Sequence, residues 1–209
     1  MSKLQIIGTS LSNFVRTARM AAQEKGVPYD LVEVMPRSDQ ATEIHPGGMI
    51  PVMKHGERTL FESRAITRYI DEAFDGPPLM PRDPWAAAQA EQWLAYVATS
   101  VDKAVIRELV HAYFFSRKPD KSPDREIVDR AAKRVARQFA TLGKAVEQTG
   151  YLSGDSFGLA DMYAMPIISQ SRVTPEGKEA MASAPSLLAY YEKHKVRPSF
   201  ADTAPPRGK

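Results

Sequence analysis

A proline at the head of a short apolar run constrains this chain more than any other residue. Pro51 sits within Ile50-Pro51-Val52-Met53, which otherwise reads as strand, and a proline has no N–H to give to a ladder. It therefore belongs at a strand's start, on a sheet edge, or in a peptide bond of unusual geometry. Pro46, Gly47 and Gly48 ahead of it forbid regular structure. Thr59-Leu60-Phe61 is a second strand run beyond a turn at His55-Gly56. From Arg64 the apolar residues fall at Ile66, Tyr69, Ile70 and Ala73, a helical stripe. Residues 45–70 thus read as loop, strand, hairpin, strand, helix. Glu62-Ser63 occupies the strand-to-helix junction, where unpaired backbone N–H groups and the helix dipole favour an anion.

The chain before this stretch begins with an apolar strand, Leu4–Ile7, and a turn over Gly8–Ser12. A helix follows with Phe14, Ala18, Ala21 and Ala22 on one face and Gly26 past its end, then a strand over Tyr29–Val34. Strand, helix and strand within about thirty residues predict a parallel pair. Residues 35–44 carry no pattern that decides their structure, and His45 and His55 read as solvated turn residues. Beyond Asp75-Gly76-Pro77-Pro78, a linker by composition, Asp83 caps a helix that starts at Pro84 and runs to about Phe115. Its inner face carries Trp93, Val97, Val101, Ala104, Val105 and Leu109. A second long helix starts at Asp124, faces inward with Ile127, Val128, Ala131, Val135, Phe139 and Leu142, and ends at Gly150. No strand signal follows residue 62. The expected fold is α/β plus all-α: a βαβ-ββα domain over 1–75, a linker over 76–84 and a helical domain over 85–209.

Taken together, Ile50-Pro51-Val52 and the run Phe61-Glu62-Ser63-Arg64-Ala65-Ile66 with Tyr69-Ile70 resemble the glutathione S-transferase family, most closely its serine-type, phi-like bacterial members. The resemblance implies a thioredoxin-like glutathione-binding domain followed by an all-helical domain that takes an electrophile. It implies a cis Ile50–Pro51 peptide, with Ile50 offering its backbone to the cysteinyl part of glutathione and Glu62-Ser63 holding the γ-glutamyl end. The serine-type position, four residues past the glycine that ends the first strand, is Ser12, and Arg16 follows where phi-like members carry arginine. Met49 stands where they usually have a glutamine. Arg37 lies in the loop that would bind the glycyl carboxylate. Further on, Asp161 fits the second position of the family's capping box, with Gly158 in place of the hydroxyl residue. Val196-Arg197-Pro198-Ser199-Phe200 is similar to the family's closing segment.

Taken alone, Ser12 is an ordinary helix cap. With the motif around it, it becomes the candidate catalytic residue, and Ser10 and Thr9 are its rivals. For the electrophile, Arg107, His111 and Phe114 share a helix face at i, i+4 and i+7, flanked by Tyr113 and Phe115 and, on the first domain, by Leu11; the alternative is that these aromatics only pack under the following loop. Zero cysteines exclude disulfides, thiolate metal sites and a cysteine nucleophile, and no cluster has metal-ligand spacing. Net charge of +3 suits a small anionic ligand and argues for no nucleic acid. No apolar run spans a bilayer, and the start lacks a signal-peptide pattern, so a cytoplasmic protein is expected. The family implies a homodimer that conjugates glutathione, as co-substrate, to small apolar electrophiles without a metal. The rival readings are a non-catalytic binding module and a glutathione-dependent peroxidase or ether-cleaving enzyme.

Overall fold

A computed structural model describes residues 3–206. These form two compact units, one from the residues up to Met80 together with those from Arg197 onward, the other over Pro81–Val196.

The first unit is built on a four-stranded sheet. Its strands are β1 (Leu4–Ile7), β2 (Tyr29–Val32), β3 (Val52–His55) and β4 (Arg58–Phe61), in the order β2-β1-β3-β4. β1 and β2 are parallel, as the short crossover requires, and they are joined by helix α1 (Asn13–Glu24). β3 runs antiparallel to β1 and β4, so the hairpin turns at Gly56-Glu57, one residue beyond the predicted position, and β3 starts at Val52 rather than Ile50. A helix unmarked by periodicity fills part of residues 35–44: α2 (Asp39–Ile44), capped by the Ser38 hydroxyl, which accepts from Ala41 N–H. Six residues are too few to show a 3.6 period. Ala41 and Ile44 pack on Ile7, Val34 and Val52. Helix α3 (Ser63–Ala73) packs beside α1, burying Ile66, Thr67 and Ile70.

The residues from Arg197 onward do not stay with the helical domain expected over 85–209. The Arg197 guanidinium grips Glu24 of α1 through two bonds of 3.0 and 2.8 Å. The buried Arg16 donates to the Phe200 carbonyl at 2.6 Å and lies 3.8 Å over the Phe200 ring.

The second unit holds α4 (Pro84–Tyr96), α5 (His111–Phe114), α6 (Arg125–Thr149), α7 (Leu159–Ser171), α8 (Pro175–Ala182) and α9 (Pro185–His194); helix α10 (Pro198–Ala201) belongs to the first. Asp83 and Asp124 cap their helices and Gly150 closes α6 with φ of 82°, as predicted. Between α4 and α5 the chain stays helical but widens into π-helix over Val97–Val101 and Lys103–Val110. α7 is the central rod, buried on all sides from Leu159 to Ile168.

The cap of α7 explains how Gly158 serves in place of a hydroxyl residue. Asp161 accepts from the Gly158 N–H at 3.0 Å, and the loop's Ser153 Oγ accepts from Ala160 N–H at 3.0 Å. The hydroxyl thus comes from the preceding loop. Ser153→Ala is expected to cost about 1–2 kcal/mol, the worth of a buried N-terminal cap. Chemical denaturation of the folded protein measures it, and an unchanged midpoint would deny Ser153 that role.

Candidate active site

Sheet register brings the predicted residues of the first unit to one place. Ile7 at the end of β1 pairs with Val52 at the start of β3, and Val52 pairs with Phe61 at the end of β4. On the other side Ile7 pairs with Val32 at the end of β2. The Gly8–Ser12 turn, the loop after β2, the Ile50–Pro51 peptide and the Glu62-Ser63 junction therefore emerge side by side from one end of the sheet. Adjacent strands lie about 4.8 Å apart, so four strands present these groups within the span of a tripeptide.

Ser12 is the N-cap of α1, with its Oγ accepting from Val15 N–H at 3.4 Å. Accepting a bond leaves the hydroxyl proton available for donation, so cap and donor are compatible roles. The first turn of α1 carries no acidic residue to offset its positive end. The rivals are differently placed. Ser10 N–H points at both oxygens of Glu33, 3.2 Å from each. A carboxylate there opposes a second negative charge near Ser10. Thr9 is buried, and its Oγ accepts from Leu11 N–H. Leu11 itself is exposed. Nothing in the sequence marks Glu33, since its partner is a backbone group 23 residues away.

The Ile50–Pro51 peptide is cis. Gly8 makes room for Ile50: a Cβ at Gly8, where φ is 148°, would come within 3.0 Å of the Ile50 Cβ and 2.5 Å of Val15. Met49 is exposed just ahead. Arg37, at φ 64°, donates its N–H to the Gly48 carbonyl at 2.7 Å, so the loop after β2 is tied to the loop before Ile50. His45 is not a solvated turn residue. It is 8% exposed, its Nδ1 accepts from Gly47 N–H at 2.8 Å, and its ring lies 4.8 Å from Phe61. It shapes the Pro46–Gly48 turn from inside. His55 is likewise engaged, with Nδ1 2.8 Å from the Tyr69 hydroxyl.

Glu62 is the residue with the least favourable backbone here. Its φ of 68° and ψ of 116° fall outside the regions open to L-residues, and its side chain makes no cap hydrogen bond. Strain of this kind amounts to about 1–3 kcal/mol and concentrates at binding sites. Glu62 and Ser63 stand directly at the amino end of α3. Glu62→Gly is expected to leave thermal stability unchanged or raised, because glycine accepts positive φ, while retention on immobilised glutathione falls several-fold. A lowered melting temperature with normal retention would mean that the strain serves the fold alone.

In the second unit the predicted electrophile residues separate. Arg107 donates through Nε–H to Asp102 at 3.0 Å, five residues earlier, a spacing that the π-helical turn brings together. His111 sits with them: burial and the Arg107 charge hold its pKa below the ordinary value, against the pull of Asp102. The ring on His111 is Phe115, 4.9 Å away in an edge contact, rather than Phe114. Phe114 and Phe115 are both exposed. Tyr113 leaves the group, its hydroxyl donating to Glu176 at 2.7 Å beside Arg125. No group of residues that could hold a metal occurs among the described residues.

Two family profiles match the chain: "Glutathione S-transferase, N-terminal domain" over residues 6–78 and "Glutathione S-transferase, C-terminal domain" over 125–193. Glutathione S-transferase 3 of Zea mays is 30% identical over 97% of this chain and 94% of its own length. Among solved structures, glutathione transferase F7 from Populus trichocarpa aligns with a TM-score of 0.85 at 26% identity, covering 96% of this chain and 97% of its own. The theta class glutathione S-transferase of Xanthomonas axonopodis pv. citri, solved with glutathione bound, aligns at 0.79 and 26%, covering 98% of both. With a four-stranded sheet of this order, the cis Ile50–Pro51 peptide and a relative matched from end to end, the chain belongs to the glutathione S-transferase family.

Proposed function

We propose that this protein is a serine-type, phi-like glutathione transferase that adds the thiolate of glutathione to small electrophiles. The observation that carries the reading is the register Ile7–Val52–Phe61, which supports a single ligand touching three loops. Glutathione's γ-glutamyl carboxylate meets Glu62-Ser63 and the amino end of α3, and its cysteinyl backbone pairs with Ile50 beside Pro51. Arg37 takes the glycyl carboxylate, and Met49 lines that side with a thioether, only a weak acceptor. The sulfur then lies at Ser12.

The chemistry asked of Ser12 is modest. A free thiol has a pKa of about 8.5, and lowering it by two units needs about 2.7 kcal/mol of preference for thiolate. A hydroxyl donor and the positive end of α1 supply effects of that order. The thiolate attacks a small apolar electrophile. The enzyme works as a cytoplasmic homodimer in this reading and needs no metal. Retention on immobilised glutathione, followed by conjugation of an activated aryl chloride, tests the whole reading. Retention without turnover would favour a non-catalytic binding module, and no retention would remove glutathione.

A further inference from the structure

A hydroxyl donates well only from a backbone that holds it still, and the turn carrying Ser12 is fastened at both ends. Past the end of β1 the ladder to β2 continues for one more bond, from Gly8 N–H to the Val32 carbonyl at 2.9 Å. The turn then closes on Thr9. Ser12 N–H donates to the Thr9 carbonyl at 3.0 Å, and Leu11 N–H to the Thr9 Oγ at 3.4 Å. Beyond it α1 begins, with the Ser12 carbonyl accepting from Arg16 N–H at 2.9 Å. Arg16 is fixed in turn by the Thr203 hydroxyl and the Phe200 carbonyl.

Ser10 and Leu11 are the central residues of that turn, and the Ser10 N–H is held from outside it. Glu33, the first residue past β2, places both carboxylate oxygens 3.2 Å from this N–H. The acid is exposed, and among the described residues it meets no cation and no donor but this one. An exposed hydrogen bond exchanges readily with water, so the contact adds little to stability. The carboxylate also sets a negative charge beside a turn that faces a thiolate in the conjugation reading. A charge that opposes the chemistry, with no ion pair to offset it, points to a geometric use.

We propose that Glu33 is a positioning residue for Ser12: by holding the Ser10 N–H it sets the orientation of the Thr9–Ser12 turn, and with it the direction of the Ser12 hydroxyl. This rests on the conjugation reading, with Ser12 as the donor to sulfur. Two opposed effects then belong to one side chain. Its hydrogen bond favours the thiolate through Ser12, while its charge disfavours the thiolate through space. Glutamine separates them, because its amide oxygen accepts the Ser10 N–H without the charge. Alanine removes both.

The test measures conjugation of glutathione with an activated aryl chloride across pH, for the full-length wild type, Glu33→Ala, Glu33→Gln and Ser12→Ala. Glu33→Ala is expected to lower kcat at neutral pH about threefold or more and to move the rising limb of its pH profile up by about half a unit or more. KM for glutathione should stay within about twofold of the wild type. Glu33→Gln should keep the wild-type limb or move it down. Ultraviolet titration of the bound thiolate reads the same shifts without turnover. Made on top of Ser12→Ala, Glu33→Ala should cause no further loss, since it acts through that hydroxyl. A limb that moves down in both Glu33 variants would assign Glu33 a charge effect alone and overturn the proposal. So would a Glu33→Ala loss that persists without the Ser12 hydroxyl, or no change in either Glu33 variant beside a damaging Ser12→Ala. In those cases Ser12 keeps its role. If Ser12→Ala itself changes nothing, the reading loses its donor and the proposal falls with it.

Discussion

Ser12→Ala is expected to cut conjugation at neutral pH tenfold or more while glutathione affinity changes little. The expectation follows from how the ligand is shared among the loops. In the proposed pose the γ-glutamyl end rests on Glu62-Ser63, the cysteinyl backbone on Ile50 and the glycyl end on Arg37, contacts that do not involve Ser12, so binding should survive. In that pose the sulfur loses the Ser12 hydroxyl as a donor. If the bound thiol's pKa rises by one unit, about 1.4 kcal/mol of thiolate stabilisation is lost and the thiolate fraction at neutral pH falls about tenfold. The sign can be read from the pH profile. A raised thiol pKa moves the rising limb of kcat/KM to higher pH, so activity recovers partly in alkaline buffer. Ultraviolet titration of the bound thiolate gives the same pKa without turnover. Ser10→Ala is the control and should do little, since the Glu33 carboxylate bonded to the Ser10 N–H opposes a thiolate there. Were Ser10→Ala damaging and Ser12→Ala harmless, the sulfur would lie two residues nearer β1. Should both leave the rate unchanged, backbone amides alone would activate the thiol, or none would.

The sequence was legible wherever local pattern and tertiary placement agree. The strands, the caps at Asp83 and Asp124, the αL stop at Gly150 and the cis Ile50–Pro51 peptide are each visible in a handful of adjacent residues. What stayed hidden depends on partners far along the chain or on a departure from regular geometry. Asp102 and Arg107 are five residues apart, and on an α-helix residues that far apart do not face each other. Only the π turns between Val97 and Val110 join them. Phe115 meets His111 as an ordinary i,i+4 pair past the end of α5, in place of Phe114. His45 reads as solvated because glycine and proline surround it. Its burial comes from Phe61, a residue on the far side of the β3–β4 hairpin. Residues after Arg197 follow a helical stretch in sequence but join the first unit through Glu24 and Arg16, pairings that no periodicity announces. Ser153 took over a hydroxyl role that the local motif assigns to position 158, five residues later, so the motif looked incomplete when its chemistry was whole.

Asp161 carries the largest expected effect on stability. Its carboxylate accepts four hydrogen bonds at a site with no solvent exposure: Leu152 N–H at 2.8 Å, Ser153 N–H at 3.1 Å, Gly158 N–H at 3.0 Å and the Tyr190 hydroxyl at 2.7 Å. One side chain thus joins the loop before α7, the cap of α7 and helix α9. Asp161→Ala leaves four buried donors facing a small void. Each such donor costs about 1–3 kcal/mol, and entry of a water would relieve part of it. A net loss of about 4 kcal/mol or more is expected, a large share of the roughly 5–15 kcal/mol that holds a typical protein together. At about 2–4 °C per kcal/mol for a chain of this size, the melting temperature should fall by roughly 8–16 °C. Two milder variants grade the effect. Tyr190→Phe removes one donor and leaves the three backbone bonds, for about 1 kcal/mol. Asp161→Asn keeps one acceptor oxygen but turns an amide N–H₂ against two backbone donors, and should fall between the two. The order Tyr190→Phe, Asp161→Asn, Asp161→Ala in falling melting temperature is the expected result. An Asp161→Ala protein as stable as the wild type would mean that α7 is held by apolar packing alone and that the four bonds contribute nothing net.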